Sequence, residues 1–126
     1  MTLKHLHLIL QAEVKTKLTE KELEEFLFSL VREIDMKVLI LPQLKFSHQK
    51  AWTGMIGIIT SHITFHYWTI EKYLQLDIYS CKEFDIENAV KFIKDFWKTN
   101  NEKIIFLKRN HDEEFRLRKI FPEFIL

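Results

Sequence analysis

Residues 55–80 of the chain are MIGIITSHITFHYWTIEKYLQLDIYS, and this stretch decides the fold class. Its two parts, Met55 to Trp68 and Tyr73 to Ser80, are rich in β-branched and aromatic residues, and the polar segment Thr69 to Lys72 separates them. Runs of this composition, bounded by turn residues, are typical of paired strands. The stretch therefore predicts two or three antiparallel strands.

Two helices are predicted, one on each side of this stretch. Thr19 and Glu22 have the spacing of a capping box, and apolar residues then recur at helical spacing, so the first helix is predicted from Thr19 to Asp35. Asp85 can cap the second helix, which has a broad apolar face and is predicted to end at Asn100 and Asn101.

The remaining segments complete an α+β pattern. Further strands are predicted at Leu3 to Val14, Met36 to Leu41 and Ile104 to Lys108. Pro42 is expected to end the second of these, and the tail from His111 to Leu126 is expected to be a short helix that docks onto a neighbour. The order of elements predicts one domain over residues 1–126, an antiparallel β-sheet with helices packed on one face. The other face would stay apolar unless a second copy covered it, which predicts a homodimer.

Composition and charge narrow the class of partner. Nineteen basic and eighteen acidic residues leave a net charge of +1, which argues against a nucleic-acid or membrane partner and favours a small molecule or a protein. No apolar run reaches the roughly 20 residues of a membrane helix. The single cysteine, Cys81, excludes an internal disulfide and fits a reducing compartment, so a cytoplasmic protein is expected.

The residues with reactive side chains lie between Ser61 and Cys81. On a strand, His62 and His66 share one face while Ser61 points to the other, and pairing of the strands would bring Ser61, His66 and Cys81 to one end of the sheet. Each also has an ordinary interpretation as a turn serine, a structural histidine or a buried cysteine. With no second ligand cluster, no metal site is predicted. Spacing alone leaves the function open.

The same stretch resembles the S-adenosylmethionine decarboxylase proenzymes of bacteria and archaea. In that family a Ser-His pair leads through a His-Thr-Trp-Pro-Glu segment to a strand of the form Val-Asp-Ile-Phe-Thr-Cys. Here Ser61-His62, His66-Tyr67-Trp68 and the segment from Leu76 to Cys81 follow in that order without a gap. The resemblance extends over roughly residues 3 to 109.

The resemblance implies a self-cleaving, pyruvoyl-dependent decarboxylase that acts on S-adenosylmethionine in spermidine synthesis. Ser61 would attack the carbonyl of Thr60, and His66 would assist the elimination that ends in a covalent pyruvoyl group derived from Ser61. The pyruvoyl carbonyl would form a Schiff base with the substrate's amine, and Cys81 would return a proton to the substrate carbon. Thr53 matches a family hydroxyl near the processing site.

Four positions depart from the family pattern or match it less closely. Thr60 replaces the usual Glu before the serine, and Ile70 replaces an acidic residue that belongs to the family's substrate pocket. Trp52 stands in a turn where the family has small residues, and Phe46 matches an aromatic that stacks on adenine, although the turn after it is one residue longer. Two alternatives therefore stay open. One is a pyruvoyl decarboxylase for another amine such as arginine or ornithine, and the other is an uncleaved, non-catalytic homologue that binds a ligand or a partner chain.

Overall fold

Within residues 3–121, one antiparallel sheet of seven strands carries two helices on one of its faces. These are the residues that the computed structural model describes, with side chains described for residues 3–117. The elements follow along the chain as β1 (Leu6–Val14), α1 (Glu20–Glu33), β2 (Val38–Phe46), β3 (Ala51–Ile58), β4 (Ser61–Trp68), β5 (Tyr73–Ser80), α2 (Ile86–Trp97), β6 (Thr99–Lys108) and β7 (Arg116–Phe121). The predicted α+β sheet with helices on one face is confirmed.

The strands do not lie in the sheet in chain order. The spatial order is β2-β3-β4-β5-β1-β6-β7, so the first strand of the chain lies near the middle, paired with β5 on one side and with β6 on the other. β3, β4 and β5 form a meander, in which Ile58 pairs with Ser61 and Trp68 pairs with Tyr73. The predicted strands between Met55 and Ser80 are therefore adjacent in space.

Helix α1 begins where the sequence predicts. The Thr19 hydroxyl accepts a hydrogen bond from the Glu22 N–H at 3.2 Å, and the Glu22 carboxylate accepts one from the Thr19 N–H at 3.0 Å. This reciprocal pair satisfies two N–H groups that a helix start otherwise leaves without partners. The apolar face of α1, which includes Phe26, is buried against the sheet.

Helix α2 brings the largest buried side chain into the core. The Asp85 carboxylate accepts a hydrogen bond from the Asn88 N–H at 3.0 Å and starts the helix, as predicted. Lys98 ends it in the left-handed conformation with φ 51°, two residues before the predicted end. Trp97 is fully buried, with edge-on aromatic contacts to Phe65 on β4 and Phe26 on α1. Among residues 3–121, neither helix is long and apolar enough to cross a membrane.

Two predictions about the sheet edges were wrong. Pro42 does not end β2, because β2 is the first strand of the sheet and its pairing with β3 is irregular between Ile40 and Gln43, so the missing N–H of Pro42 breaks no regular ladder. The expected helix in the tail is instead the strand β7, which pairs with β6. The rest of that prediction, residues 122–126, lies outside the described residues.

The face of the sheet opposite the helices is mixed, and not apolar as expected. Burial alternates along the strands, so that Leu8 of β1 and Ile63 of β4 face the helices while their neighbours point outward. The outward side chains include polar and ionisable residues on three neighbouring strands, namely His7, Gln11, His62, Thr64, His66, Gln75 and Asp77. The apolar surface on this face of the sheet is therefore not enough by itself to require a second copy of the chain to cover it.

Candidate active site

Ser61 lies at the first position of β4, directly after a two-residue turn. Ile58 and Ser61 pair across the hairpin, which leaves Ile59 and Thr60 as the turn. Thr60 has φ 52°, a left-handed conformation that is unfavourable for a β-branched residue. The Ser61 side chain faces the helices and is 7% exposed. The peptide bond between Thr60 and Ser61 therefore joins a strained, exposed residue to a buried one.

Cys81 follows directly after β5 and contacts this turn through both its backbone and its side chain. Its N–H donates to the Ser61 Oγ at 2.8 Å, and its Sγ donates to the Ile59 carbonyl oxygen at 3.4 Å. The buried Ser80 hydroxyl accepts a hydrogen bond from the Lys82 N–H at 3.2 Å and so fixes the bend that carries Cys81. Ser61 and Cys81 are thus brought together, as the sequence predicts.

The surroundings of Cys81 favour the thiolate. Burial alone would raise the pKa of the Cys81 thiol, but this effect is outweighed. The hydroxyl groups of Ser61 and Thr60, the Cys81 backbone N–H and the positive charge of Lys82 together lower the pKa below that of a free thiol. The unbroken chain therefore holds Cys81 in a form that gives up its proton more readily than an ordinary cysteine.

His66 does not join Ser61 and Cys81, which corrects the prediction that all three meet at one end of the sheet. It lies five residues farther along β4, about 16 Å from Ser61 at the usual rise of a strand. It also points to the outer face, whereas Ser61 points to the helices. The His66 Nδ1 instead lies 3.0 Å from the Oγ1 of Thr53, its partner across the β3–β4 pair. One chain thus presents two separate half-sites, which are Ser61 with Cys81 and Thr53 with His66.

Phe46 and Trp52 lie near the second half-site but on the other side of the sheet. They pair across β2 and β3, with ring centroids 5.0 Å apart, and Trp52 in turn pairs with the buried Tyr67. Thr53, one residue farther along β3, therefore points to the opposite face. Phe46 is 41% exposed at this edge, and it is not brought close to Ser61.

Sequence reasoning missed a cluster of rings on the outer face, close to the Ser61 end. The His5 and His62 rings stack on Tyr79 with centroids 4.9 and 5.2 Å away, and the Arg109 guanidinium lies 4.8 Å from the same ring centre. His7 links Arg109, whose Nη1 lies 3.1 Å from its Nδ1, to an Asp77 oxygen 3.3 Å from its Nε2. The alternation of histidines at the start of β1 and on β4 was the available signal, but only the strand register brings them together.

The cluster affects the ionisation of His62. Burial lowers the pKa of His62, the charges of His7 and Arg109 lower it further, and Asp77 partly opposes them. Within residues 3–121, no three side chains of the kinds that bind metals are grouped so as to hold an ion. The groups around His62 thus disfavour its charged imidazolium form, beside the first half-site.

Comparisons with known proteins agree on one family. A family model described as S-adenosylmethionine decarboxylase matches residues 7–110. An S-adenosylmethionine decarboxylase proenzyme of Clostridium botulinum strain Langeland is 35% identical over 72 residues, which cover 56% of this chain and 61% of that protein. A proenzyme of the same name from strain Loch Maree is 31% identical over 93 residues, 73% of each protein. The chain thus spans less than two thirds of the length of the Langeland protein.

The likeness extends to an archaeal protein and to a solved structure. The S-adenosylmethionine decarboxylase proenzyme of Pyrococcus furiosus is 36% identical over 63 residues, which cover 49% of this chain and 45% of that protein. The crystal structure of the adenosylmethionine decarboxylase from Aquifex aeolicus superposes with a TM-score of 0.68 at 18% identity, covering 86% of this chain and 89% of that one. At this identity the structural match supports the fold alone.

Proposed function

Since the chain belongs to the S-adenosylmethionine decarboxylase family, we propose that it cuts itself between Thr60 and Ser61 and then decarboxylates S-adenosylmethionine for spermidine synthesis. The reaction would use a covalent pyruvoyl group made from Ser61. The observation that carries the proposal is the hydrogen bond from the Cys81 N–H to the Ser61 Oγ, beside a strained turn. A serine that only ended a turn would not need to contact a cysteine whose thiol gives up its proton readily.

The residues at the turn fit the formation of this group. Ser61 Oγ would attack the carbonyl carbon of Thr60, so that an ester C–O bond forms as the peptide C–N bond breaks and the hydroxyl proton passes to the new amine. The left-handed backbone of Thr60 supports this step, because strain of about 1–2 kcal/mol is released when the peptide bond opens.

A base then completes the cut. Removal of the proton on the Ser61 Cα and cleavage of its Cβ–Oγ bond would release residue 60 as a carboxylate that keeps the oxygen, leaving dehydroalanine at position 61. Addition of water releases ammonia and leaves the pyruvoyl cap. We assign the base to His66, whose ring is held at Nδ1 by Thr53, with Nε2 as the nitrogen for the proton. Thr53 therefore acts as a positioning residue.

The separation of the half-sites leads us to assign the base to a second copy of the chain. His66 cannot reach Ser61 within one subunit, because about 16 Å of β4 lies between them and their side chains leave opposite faces. In a two-fold dimer, the Thr53–His66 half-site of each subunit would meet the Ser61–Cys81 half-site of the other. The proposed partner is thus an identical chain, and the single cysteine supports a cytoplasmic location for the pair.

During decarboxylation the pyruvoyl group would supply an electron-withdrawing carbonyl bound to the substrate's amine. Cys81 is suited to return the proton to the substrate carbon, since its sulfur lies against the turn that contains the cut. Lys82 reaches the Asp35 carbonyl oxygen at 2.5 Å and so ties the Cys81 bend to the loop after α1. The segment that carries the thiol is therefore held by the turn before β4 and by the loop after α1.

Ile70 favours a second candidate function, a pyruvoyl decarboxylase for a different amine. It lies in the turn between β4 and β5 and is 72% exposed, where the family carries an acidic residue suited to ribose hydroxyls. A pocket that lacks this acceptor loses selectivity for a substrate that carries the hydroxyl. Trp52 does not add to this candidate, because its ring packs on Phe46.

Intact-mass spectrometry of the purified wild type beside Ser61→Ala tests the proposed cut. We expect the wild type to split into residues 1–60 and a pyruvoyl-blocked 61–126, while Ser61→Ala stays whole and Ser47→Ala, on the surface turn after β2, splits normally. Release of labelled carbon dioxide from S-adenosylmethionine, arginine and ornithine then separates the two candidate functions. A wild type that stays whole contradicts both decarboxylase functions and leaves the non-catalytic homologue.

A further inference from the structure

The segment that contains the proposed cut contacts Cys81, the only cysteine of the chain. Cys81 donates its N–H to the Ser61 Oγ at 2.8 Å, and its Sγ contacts the Ile59 carbonyl oxygen at 3.4 Å. The Thr60 hydroxyl bonds to the same Ile59 oxygen at 2.8 Å. Both turn residues and Ser61 therefore contact Cys81 or the oxygen that accepts its Sγ hydrogen bond.

Cleavage changes these groups in a defined way. The Ser61 Oγ leaves with Thr60, so the cysteine loses a hydroxyl neighbour and its backbone N–H loses its acceptor. Thr60 gains a terminal carboxylate, one residue from the carbonyl that the sulfur contacts. A hydroxyl group is thus removed, and a negative charge is created on Thr60, the residue next to Ile59, whose carbonyl oxygen the sulfur contacts.

We propose that the cut itself makes Cys81 hold its proton, because it removes the Ser61 hydroxyl and places a carboxylate beside the sulfur. This inference rests on the function proposed above and adds a step of control to it. A proton donor must carry its proton when the substrate carbon needs it, whereas a thiolate has none to give. Cleavage would then prepare the proton donor in the same event that prepares the electrophile.

The charges around the sulfur agree with this direction. Hydroxyl groups of Ser61 and Thr60 and the charge of Lys82 lower the pKa of Cys81 against the opposing effect of burial in the unbroken chain. Lys82 is partly neutralised by the Asp35 carboxylate, 3.8 Å from its Nζ. After the cut, one of these hydroxyl groups is gone and Thr60 carries a carboxylate, so the thiolate loses one stabilising group and gains a like charge on a neighbouring residue.

Alkylation by iodoacetamide measures this change directly, because Cys81 is the only thiol and lies in the 61–126 fragment. A partly processed wild-type sample contains whole and split chains in one tube, and intact mass separates their alkylated forms. Near pH 7 we expect the split form to react about tenfold more slowly, as follows from a like charge within a few ångströms of the sulfur. Ser61→Ala, which lacks the hydroxyl but gains no carboxylate, should react at an intermediate rate.

The pH dependence separates ionisation from access to the reagent. We expect the split form to reach the same limiting rate at high pH, with its midpoint moved to higher pH. Equal midpoints in the whole and split chains overturn the inference while the cleavage stands. A wild type that never splits overturns the proposed function as well, and the two failures are therefore distinct.

Discussion

The proposal that two subunits share each active site can be tested with two inactive variants produced in one cell. Ser61→Ala lacks the nucleophile and His66→Ala lacks the base, so neither should split when produced alone. In a mixed dimer, one site combines the Ser61 of the His66→Ala chain with the His66 of the Ser61→Ala chain, and the other site has neither residue. Splitting is then restored to the His66→Ala chains alone.

The expected yield follows from random pairing. With equal amounts of the two chains, about half of the dimers are mixed, so about half of the His66→Ala chains and about a quarter of all chains should split. Intact mass identifies which variant was cut, since the two chains differ in mass. A serine and a base that act within one subunit predict no splitting at all.

A second pairing provides the control. Wild-type chains made together with the double variant Ser61→Ala/His66→Ala should split only in wild-type dimers, so about half of the wild-type chains should remain whole. If all of them split, His66 acts within its own chain, and the assignment of the base to the partner is wrong. The same conclusion follows if no chain splits when Ser61→Ala and His66→Ala are made together.

Four further predictions concern stability and specificity. Gly54→Ala should lower the free energy of unfolding by about 1–3 kcal/mol in urea, because the new Cβ would lie 2.4 Å from the buried Phe65 ring. Thr19→Ala removes the capping box and should cost about 1 kcal/mol in the same assay. Burial lowers the His62 pKa below 6.5, so on acidification the unfolded chain protonates His62 before the folded chain does, and the free energy of unfolding should fall as the pH drops below about 6.5. His62→Gln should flatten this pH dependence of the free energy of unfolding, and an unchanged slope in the variant would contradict the prediction. Ile70→Glu should leave the melting temperature unchanged, since Ile70 is 72% exposed, and should lower the KM for S-adenosylmethionine by about tenfold; an unchanged KM would show that this position does not contact the ribose.

Local signals in the sequence predicted the helices well. The first helix was placed within two residues at each end, because the reciprocal bonds of Thr19 and Glu22 depend only on neighbours along the chain. The alternation from Ser61 to Trp68 likewise predicted which side chains share a face, since successive residues of a strand must point to opposite faces. The prediction of one domain over the whole chain stays a prediction.

The errors came from features that depend on distant partners. The last strand pairs with β6, and nothing in its own mixed composition distinguishes that strand from a short helix. Pro42 was tolerated because its strand lies at the edge, a position that only the whole sheet defines. His66 was expected to join Ser61 through pairing of the strands, but both residues lie on β4, and the five residues of extended chain between them are a long distance.

The order of the strands determines how the two products of the proposed cut are held together. β1 belongs to residues 1–60, yet both of its neighbours, β5 and β6, belong to residues 61–126, and β3 pairs with β4 across the cut. The two products are therefore interwoven, and dilution alone should not separate them. Once unfolded, however, they must find each other again as separate molecules, without the high effective concentration that the peptide bond provided. The covalent link between the two parts is thus available only for the first folding of the chain. A processed protein that melts should refold at a rate that depends on its concentration.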